Sequence, residues 1–301
     1  MPQILSLDFF DLNKKSWQWI TLLFLAFIWG SSFILMKRGL DVYSHTEVAA
    51  LRMSISFLCL IPFAIKYFKT IEKKYWKYLA IVGIFGNGIP AFLFTKAQTG
   101  LSSSLTGMLN SLVPLFTLLL GLILFKTKFK ANRFIGAFIG LIGAIGLITS
   151  NGIDLNNSQL SYTFYVVAAT ICYAISVNTI NIHLKEIGSL KITAASFVFI
   201  GPPILIYLFS TNFLATTAQD DSAGIALFYI ALLAILGTVI SVILFNMLIK
   251  KTSGVFATSV TYLIPIIAIF WGVLDGESVN YIQIISIVVI LIGIYFINKF
   301  K

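Results

Sequence analysis

The chain has 301 residues, of which 58% are hydrophobic and only 11% are charged. Soluble domains carry roughly 25% charged residues, so this composition excludes an ordinary soluble protein and indicates an integral membrane protein. The net charge of +10 does not by itself indicate a nucleic-acid-binding protein, because the basic residues are distributed as in membrane proteins.

Apolar runs of the length that crosses a bilayer as a helix, about 18–20 residues, recur along the whole sequence. Ten are predicted, at 18–36, 46–66, 77–97, 101–125, 132–149, 161–183, 192–210, 224–249, 254–273 and 279–298. The first is too long for a cleaved signal peptide and follows Asp8 and Asp11, so it is predicted to be a membrane helix. The short gaps leave no room for a soluble domain.

An internal repeat relates the two halves of the chain. A shift of 151 residues finds the same residue type again for Tyr78, Ala80, Ile84, Gly86, Ile89, Phe94, Ser102, Leu112, Pro114 and Gly121. The loop 126–133 after the fourth segment is basic, whereas the loop after the ninth contains Asp275 and Glu277. Matched helices with opposite loop charge predict two inverted five-helix repeats, 1–150 and 151–301, joined by a polar linker near 150–160.

The basic residues also predict the orientation of the chain. With the N-terminus inside, all but four of the 21 basic residues lie on the cytoplasmic side. The four on the outer side are Lys37, Arg38, Arg52 and Lys96. This asymmetry predicts that both termini are cytoplasmic, and it explains the basic charge without a nucleic-acid partner.

Motifs for catalysis or cofactor binding are absent from the sequence. There is no HExxH or GxSxG, and Cys59 and Cys172 lie in apolar segments without the spacing of metal ligands. The run 86–91 matches GxGxxA, but it lies within an apolar segment rather than in a strand–turn–helix unit. No enzymatic activity, cofactor or metal is therefore expected. Pro90 in this run is instead expected to interrupt the third helix.

Two stripes of small and polar residues occupy equivalent positions in the fourth and ninth segments. They are Ser103, Gly107, Asn110 and Pro114 in the first half, and Gly254, Thr258, Thr261 and Pro265 in the second. Their spacing places each set on one helix face, which is predicted to face the protein interior for close packing or for solute binding. Prolines at corresponding positions of two halves favour a transport site, with helix hinges at Pro90, Pro114 and Pro265.

Several other polar or aromatic residues are predicted to lie deep in the membrane. Trp29 lies about 18 Å beyond the interfacial belt, either as a packing residue or as part of a cavity. Asn87 and Thr238 occupy matching positions near the midplane. Arg52 is about 9 Å from the outer edge, where a charge indicates strong pairing or a function. Lys96 lies nearer that edge, where it either snorkels or helps Arg52 to attract an anionic group.

A set of short motifs carries a family resemblance over nearly the whole chain. They are Trp29-Gly30-Ser31-Ser32-Phe33 with Lys37, Arg52, the helices with Pro114 and Pro265, and Gly136, Gly140, Gly143 and Gly293. In these motifs the chain resembles the EamA family of the drug/metabolite transporter superfamily. The resemblance implies ten helices in two inverted five-helix repeats around a central cavity. It also implies movement of small metabolites, often export of amino acids or related compounds.

One motif departs from the family pattern. An acidic residue commonly follows the fourth-helix apolar run, and Glu277 is its counterpart in the second half. The first half has the sequence Phe-Lys-Thr-Lys at 125–128 instead, so the interaction made by that acidic residue in relatives is not expected there. Separately, Gly136, Gly140 and Gly143 in the fifth segment predict a close-packing helix face.

The sequence and the resemblance together predict an all-α integral membrane protein that transports small metabolites by alternating access, most simply in the bacterial inner membrane. Export is the direction that the resemblance implies, and the sequence itself does not distinguish it from import. The residues expected to bind the solute between the repeats are Trp29, Phe33, Asn87, Phe94, Asn110, Tyr173, Thr238, Thr261 and Tyr262. The expected partners are a small-molecule solute and the lipid bilayer, and the sequence indicates no oligomeric state.

Three other classes of protein remain as alternatives. A membrane-embedded enzyme needs His, Asp, Glu or Cys clustered at one membrane face, and the sequence has no such cluster. A non-transporting membrane subunit would present an unusual docking loop or tail, and the loops and tails are short. A channel would show repeated ion-selective rings, which are not apparent.

Overall fold

The computed structural model describes residues 11–126, 131–150, 159–276 and 281–299, and these are helical almost throughout. The ten longest helices in these ranges are α1 (Lys15–Leu40), α2 (His45–Tyr67), α3 (Lys73–Gln98), α4 (Ser103–Ile123), α5 (Ala131–Ser150), α6 (Gln159–His183), α7 (Ser189–Phe209), α8 (Ala223–Lys251), α9 (Gly254–Leu274) and α10 (Tyr281–Lys299). A short helix, Phe213–Gln219, connects α7 to α8. The basic loop 127–130, the linker 151–158 and Glu277 lie outside the described residues.

Within the described ranges, eight helices are long and apolar enough to cross a membrane, namely α1 to α4 and α6 to α9. The apolar stretches described in α5 and α10, Phe134–Gly146 and Ile284–Gly293, are shorter. Large apolar side chains such as Ile65 and Ile206 lie exposed on the outside of the bundle, where lipid replaces water. The protein is thus an all-helical, multi-pass membrane protein.

Equivalent serines begin α4 and α9. The hydroxyl of Ser102 accepts a hydrogen bond from the backbone N–H of Leu105, and Ser253 accepts one from Phe256, both at 3.1 Å. Each serine satisfies a donor that the first helical turn leaves free. The two caps are 151 residues apart, so the repeat in the sequence is also a repeat in local structure.

Departures from α-helical geometry recur with the same offset. In α3 the segment Ile84–Gly88 is a π-helix, and in α8 the segment Ile235–Ile240 is one as well. The interruption expected near Pro90 is therefore present, but proline is not its general cause, because Ser241 stands at the equivalent position of α8. The two segments share a glycine, Gly86 in α3 and Gly237 in α8, which indicates that small residues permit the distortion.

A second matched pair of distortions precedes the other two prolines. The 3-10 turn Asn110–Leu112 lies in the middle of α4, and Ser259–Tyr262 lies in the middle of α9. Pro114 and Pro265 then stand in the first turn of the α-helical segment that follows. Proline is tolerated there, because its missing N–H is one that the first turn does not use.

Helices α5 and α10 pack backbone to backbone through glycines. A Cβ atom on Gly293 would lie 2.7 Å from the carbonyl oxygen of Gly136, and one on Gly143 would lie 2.9 Å from that of Ser286. Neither position has room for a side chain. The close-packing face predicted for the fifth segment is thus confirmed, with α10 as its partner.

Contacts at the two ends of the bundle define the helix directions. One hydrophobic cluster joins Trp17 and Tyr78, near the starts of α1 and α3, to Leu184 and Ile249, at the ends of α6 and α8. The ring of Tyr78 also stacks on that of His183, at the end of α6, with centroids 4.1 Å apart. Helices α1 and α3 therefore start at the end of the bundle where α6 and α8 finish.

At the opposite end, charged side chains join α1 to α9. The carboxylate of Asp275, directly after α9, accepts hydrogen bonds from Lys37 and Arg38 in the last turns of α1. Lys37 thus has an acidic partner.

Candidate functional site

A cavity of about 110 Å³ lies in the middle of the bundle, between the two halves of the chain. Most of its lining consists of equivalent residues, one from each half. These pairs are Trp29/Tyr173, Ser32/Ser176, Phe33/Val177, Met36/Ile180, Gly86/Gly237, Ala91/Val242, Phe94/Phe245, Asn110/Thr261 and Val113/Ile264. The offset is 144 in α1 and α6 and 151 in the other helices. The same surface of each half therefore faces the cavity.

Five lining residues have no equivalent on the cavity wall: Arg52, Met53, Val82, Asn87 and Asn246. The paired lining is neutral, so Arg52 is the residue that makes the two sides of the cavity electrically different. The offset of 144 places Ser196 of α7 at the position of Arg52, and Ser196 is buried away from the cavity.

Aromatic rings form one wall of the cavity. The rings of Phe94 and Tyr173 are stacked with centroids 5.8 Å apart, and Phe33 lies 6.0 Å from Phe94. On the other side, Trp29 and Phe245 meet at 69° with centroids 5.0 Å apart. Such rings offer a large apolar contact surface, and their π faces also attract cations.

The π segments place polar groups beside this wall. The indole Nε1 of Trp29 donates a 2.9 Å hydrogen bond to the carbonyl oxygen of Gly237 in the π segment of α8. Asn87 and Thr238, at equivalent positions, each donate at 3.5 Å to the carbonyl oxygen five residues earlier, that of Val82 or Leu233. A side chain thus supplements the irregular backbone hydrogen bonding in each segment.

Arg52 lies at the cavity and is 9% exposed. Its Nε donates a 2.9 Å hydrogen bond to Oγ1 of Thr238, which connects α2 to the π segment of α8. In the ranges that the structure describes, no carboxylate lies within ion-pairing distance of its guanidinium, and no acceptor contacts its two terminal nitrogens. The sequence placed Arg52 near the outer edge of the membrane; in the structure its head group belongs to the central cavity.

The structure brings most of the predicted solute-binding residues together. Those that line the cavity are Trp29, Phe33, Asn87, Phe94, Asn110, Tyr173 and Thr261. Thr238 is 1% exposed and lies behind the wall, where it contacts Arg52. Tyr262 points away from the cavity, because its ring packs against Gly140 of α5. Lys96 does not reach the cavity wall either.

Both polar stripes are buried, as predicted, but they serve two purposes. Only Asn110 and Thr261 reach the cavity. Elsewhere the small residues allow helices to approach each other: a Cβ atom on Gly107 would lie 2.8 Å from that of Ala268, and one on Gly254 would lie 2.8 Å from a methyl of Val177. Close packing and cavity lining thus share one helix face.

Four polar or aromatic residues of the cavity lining were not among the residues predicted to bind the solute: Ser32, Ser176, Phe245 and Asn246. A signal existed for the first three, since the same offsets that relate the halves pair Ser32 with Ser176 and Phe245 with Phe94. Asn246 has no such signal; it also connects two helices by donating a 3.0 Å hydrogen bond to Oγ1 of Thr193 in α7.

The ion cluster at the end of α1 is separate from the cavity. The hydrogen bond from the Lys37 ammonium, together with the positive charges of Lys37 and Arg38, holds the pKa of Asp275 below its ordinary value. Partial burial of this carboxylate opposes that effect but does not cancel it. Asp275 therefore remains ionised at neutral pH and connects α1 to α9.

Comparison with known proteins adds family information to this geometry. The sequence profile of the EamA-like transporter family matches residues 16–149 and again 160–299. The uncharacterized inner membrane transporter YedA of Escherichia coli K12 is 25% identical over 284 residues, which cover 92% of this chain and 89% of YedA. A probable amino-acid metabolite efflux pump of Salmonella typhimurium is 24% identical over 290 residues, covering 92% of this chain and 93% of the pump.

A solved crystal structure matches the whole bundle. Its TM-score is 0.67 at 14% sequence identity, and the match covers 95% of this chain and 98% of the other. The helix arrangement is therefore a known fold.

Proposed function

Because this chain belongs to the EamA-like transporter family, we propose that it is a secondary transporter that exports small metabolites, such as amino acids or related compounds, by alternating access. The observation that carries the proposal is the cavity lined by nine equivalent residue pairs. A site that lies between two equivalent halves is exposed to either side of the membrane when one half rocks against the other. No chemical reaction is assigned to the chain.

We further propose that ten helices span the membrane as two inverted five-helix repeats, 1–150 and 151–301. The helix directions support this, because α1 and α3 start where their counterparts α6 and α8 finish. Helices α5 and α10, with 20 and 19 residues, complete the two sets. The basic residues support cytoplasmic termini. Reporter fusions at residue 155 and at the C-terminus test the topology, and both reporters on one side of the membrane would contradict it.

The proposed movement uses the helices with matched interruptions. Segments that depart from α-helical geometry bend more easily than regular ones, and here they border the cavity in α3, α4, α8 and α9. Pro90, Pro114 and Pro265 follow three of these segments, in the first turn of the α-helix that comes after each. We propose that the two halves rock about these positions, closing the cavity on one side as it opens on the other.

The size of the cavity supports a small solute. Its volume of about 110 Å³ is well below the range of about 300–1,000 Å³ for drug-sized pockets. The names of the relatives point in the same direction, since one is a probable amino-acid metabolite efflux pump and another an inner membrane transporter. We therefore propose a location in the bacterial inner membrane and a metabolite as the solute.

The test uses purified protein in proteoliposomes loaded with a water-soluble metabolite extract, with efflux followed by mass spectrometry. At least one metabolite is expected to leave faster than from protein-free vesicles. Asn110→Ala and Thr261→Ala are each expected to slow that efflux or weaken its concentration dependence. Thr258→Ala is the matched control, because Thr258 lies in the same stripe as Thr261 but off the cavity wall. Unchanged flux and affinity in both test variants would refute this site.

A further inference from the structure

We infer that the transported solute carries a carboxylate that pairs with Arg52 in the central cavity, and that the site does not require an amino group. This inference rests on the proposed transport function and specifies the chemistry of its solute. Among the described residues that line the cavity, Arg52 is charged and the others are neutral.

The charge on Arg52 is unmatched within the described part of the chain. The ion pairs there join Lys37 and Arg38 to acidic residues at one end of the bundle, and Lys74 to Glu72 at a helix start. None includes Arg52, although its side chain is almost fully buried. A buried charge in a membrane is costly unless it is paired or hydrated, so the cavity favours an anionic partner.

The head group of Arg52 is oriented for such a partner. Nε is occupied by Thr238, which fixes the plane of the guanidinium. The two terminal nitrogens have no acceptor among the described residues and belong to a side chain on the cavity wall. A guanidinium presents parallel N–H groups that match the two oxygens of a carboxylate. An anion of this shape therefore completes the hydrogen bonding of Arg52.

The same lining offers no acidic residue to an amine. Among the described residues, neither Asp nor Glu lies on the cavity wall. A monocarboxylate would leave the occupied cavity electrically neutral. A zwitterionic amino acid would leave its ammonium against the rings of Phe94 and Tyr173, which attract cations more weakly than a carboxylate does. We therefore expect the cavity to accept solutes with an amino group but not to prefer them over solutes without one.

The apolar part of the solute would contact the aromatic wall. Phe33, Phe94 and Tyr173 form a continuous set of rings, and they line the same cavity as Arg52. The expected class is therefore small monocarboxylates with an apolar body, including 2-amino acids and their counterparts without the amine. Cationic amines of similar size are excluded, because Arg52 repels them.

The experiment compares matched probes as competitors of metabolite efflux from proteoliposomes that contain the full chain. Each pair shares an apolar body: propanoate and ethylamine, 4-methylpentanoate and 3-methylbutylamine, 3-phenylpropanoate and 2-phenylethylamine. In at least one pair the carboxylate is expected to inhibit at a concentration about tenfold or more below that of the amine, as a charged hydrogen bond allows. Inhibition by amines at equal concentration, or by no carboxylate, overturns the inference.

Variants of Arg52 test whether this residue causes the difference in inhibition between carboxylates and amines. Arg52→Gln is expected to abolish the difference between carboxylate and amine, and Arg52→Lys to retain part of it, since lysine keeps the charge and loses the planar fork. Ser196→Ala, at the equivalent position off the cavity, is the control and is expected to keep the full difference. A variant that does not fold leaves the wild-type competition as the deciding measurement.

Thr238 is assigned a positioning role. Thr238→Val removes the acceptor of the Arg52 Nε hydrogen bond. It is expected to reduce the preference for carboxylates over amines by a larger factor than it reduces the rate of metabolite efflux. Thr238→Ser keeps the hydroxyl and is expected to restore the preference. Equal preferences in Thr238→Val and wild type would overturn this role.

A binding measurement separates this inference from the transport proposal. The probes are added to detergent-solubilised protein, whose melting temperature is expected to rise with carboxylates and not with amines. Stabilisation by carboxylates without any efflux refutes transport and supports the Arg52 site. Efflux without preference for carboxylates supports transport and refutes the site.

Discussion

The indole nitrogen of Trp29 donates a 2.9 Å hydrogen bond to the carbonyl oxygen of Gly237, and this bond connects the first half of the protein to the π segment of α8. Trp29 also contacts the ring of Phe245 and lines the cavity. One side chain thus contributes to helix packing, to the irregular backbone of the second half and to the cavity wall.

Trp29→Phe removes the donor and keeps an aromatic ring. Loss of the hydrogen bond is expected to destabilise the protein by about 1 kcal/mol and to slow efflux several-fold, because the π segment borders the cavity.

Trp271→Phe is the matched control. The indole of Trp271 likewise donates a hydrogen bond between helices, at 2.7 Å from α9 to Ser31 of α1, but it lies away from the cavity. The control is expected to lose stability by a similar amount with unchanged efflux. Melting curves and flux assays measure the two effects, and parallel loss of flux in both variants would contradict the role given to Trp29.

Gly293→Ala tests the contact between α5 and α10. A methyl group there would lie 2.7 Å from the backbone of Gly136 and of Gly140, and backbone cannot rotate aside. Overpacking of this kind is expected to cost about 1–3 kcal/mol, measured as a lower melting temperature in detergent. Gly224→Ala is the control, since no atom lies within 4 Å of the added methyl and alanine favours a helix. Equal melting temperatures for Gly293→Ala and wild type would show that α5 and α10 are not held this closely.

The ion cluster at Asp275 predicts a dependence of stability on pH. The folded-state pKa of this carboxyl lies below its ordinary value of 3.8, so folding is favoured by the ionised form. The stabilisation is fully present above the ordinary pKa and is lost as the pH falls through the lowered one. Lys37 and Arg38 are more than a third exposed, so solvent screening limits the effect to about 1 kcal/mol or less.

Asp275→Asn removes this stabilisation at neutral pH. Its melting temperature is expected to lie below that of the wild type at pH 7, and the difference is expected to shrink as the pH falls below about 4. High salt is also expected to reduce the difference in melting temperature between the variant and the wild type at pH 7, because it screens the ion pairs. A difference that is independent of pH would show that Asp275 acts through packing and not through its charge.

The repeat in the sequence was sufficient to find much of the cavity. Asn110 and Thr261 were identified because equivalent positions of repeated helices face the same way, and the structure places both on the cavity wall. The same logic failed for Tyr262. Adjacent residues in a 3-10 turn are separated by about 120°, so the residue beside Thr261 faces another helix, here α5 at Gly140.

The hydrogen-bond partner of Arg52 could not be predicted from the sequence. Its depth along α2 indicated the outer part of the membrane, but its head group is positioned by Thr238, 186 residues away in the chain. A long side chain can extend over several ångströms, so helix depth does not determine where its charge lies. Contacts between distant helices decided this position, and one sequence without a structure does not contain them.

Each π segment contains a glycine that packs against a serine of the other half. Gly237 packs against Ser32 of α1, and its equivalent Gly86 packs against Ser176 of α6. A methyl on Gly237 would lie 2.8 Å from Oγ of Ser32, which is held by its own 2.8 Å hydrogen bond to Ile28. Gly237→Ala and Gly86→Ala are each expected to cost about 1–3 kcal/mol and to slow efflux, because both distort the cavity wall.

Second-site changes at the two serines distinguish this contact from a general effect of alanine on helix geometry. Around Gly237, Oγ of Ser32 would be 2.8 Å away and Cβ of Ser32 3.9 Å, while the nearest other atom is Cδ1 of Leu233 at 3.3 Å, the movable end of a flexible side chain. Ser32→Ala is therefore expected to rescue Gly237→Ala. Around Gly86, Cβ of Ser176 would itself be 3.1 Å away, so Ser176→Ala is expected to rescue poorly and Ser176→Gly well. Melting temperature and efflux of the double variants measure this. Equal rescue by alanine at both serines would contradict the geometry, because the serine Cβ is 3.9 Å from the added methyl at Gly237 and only 3.1 Å from it at Gly86.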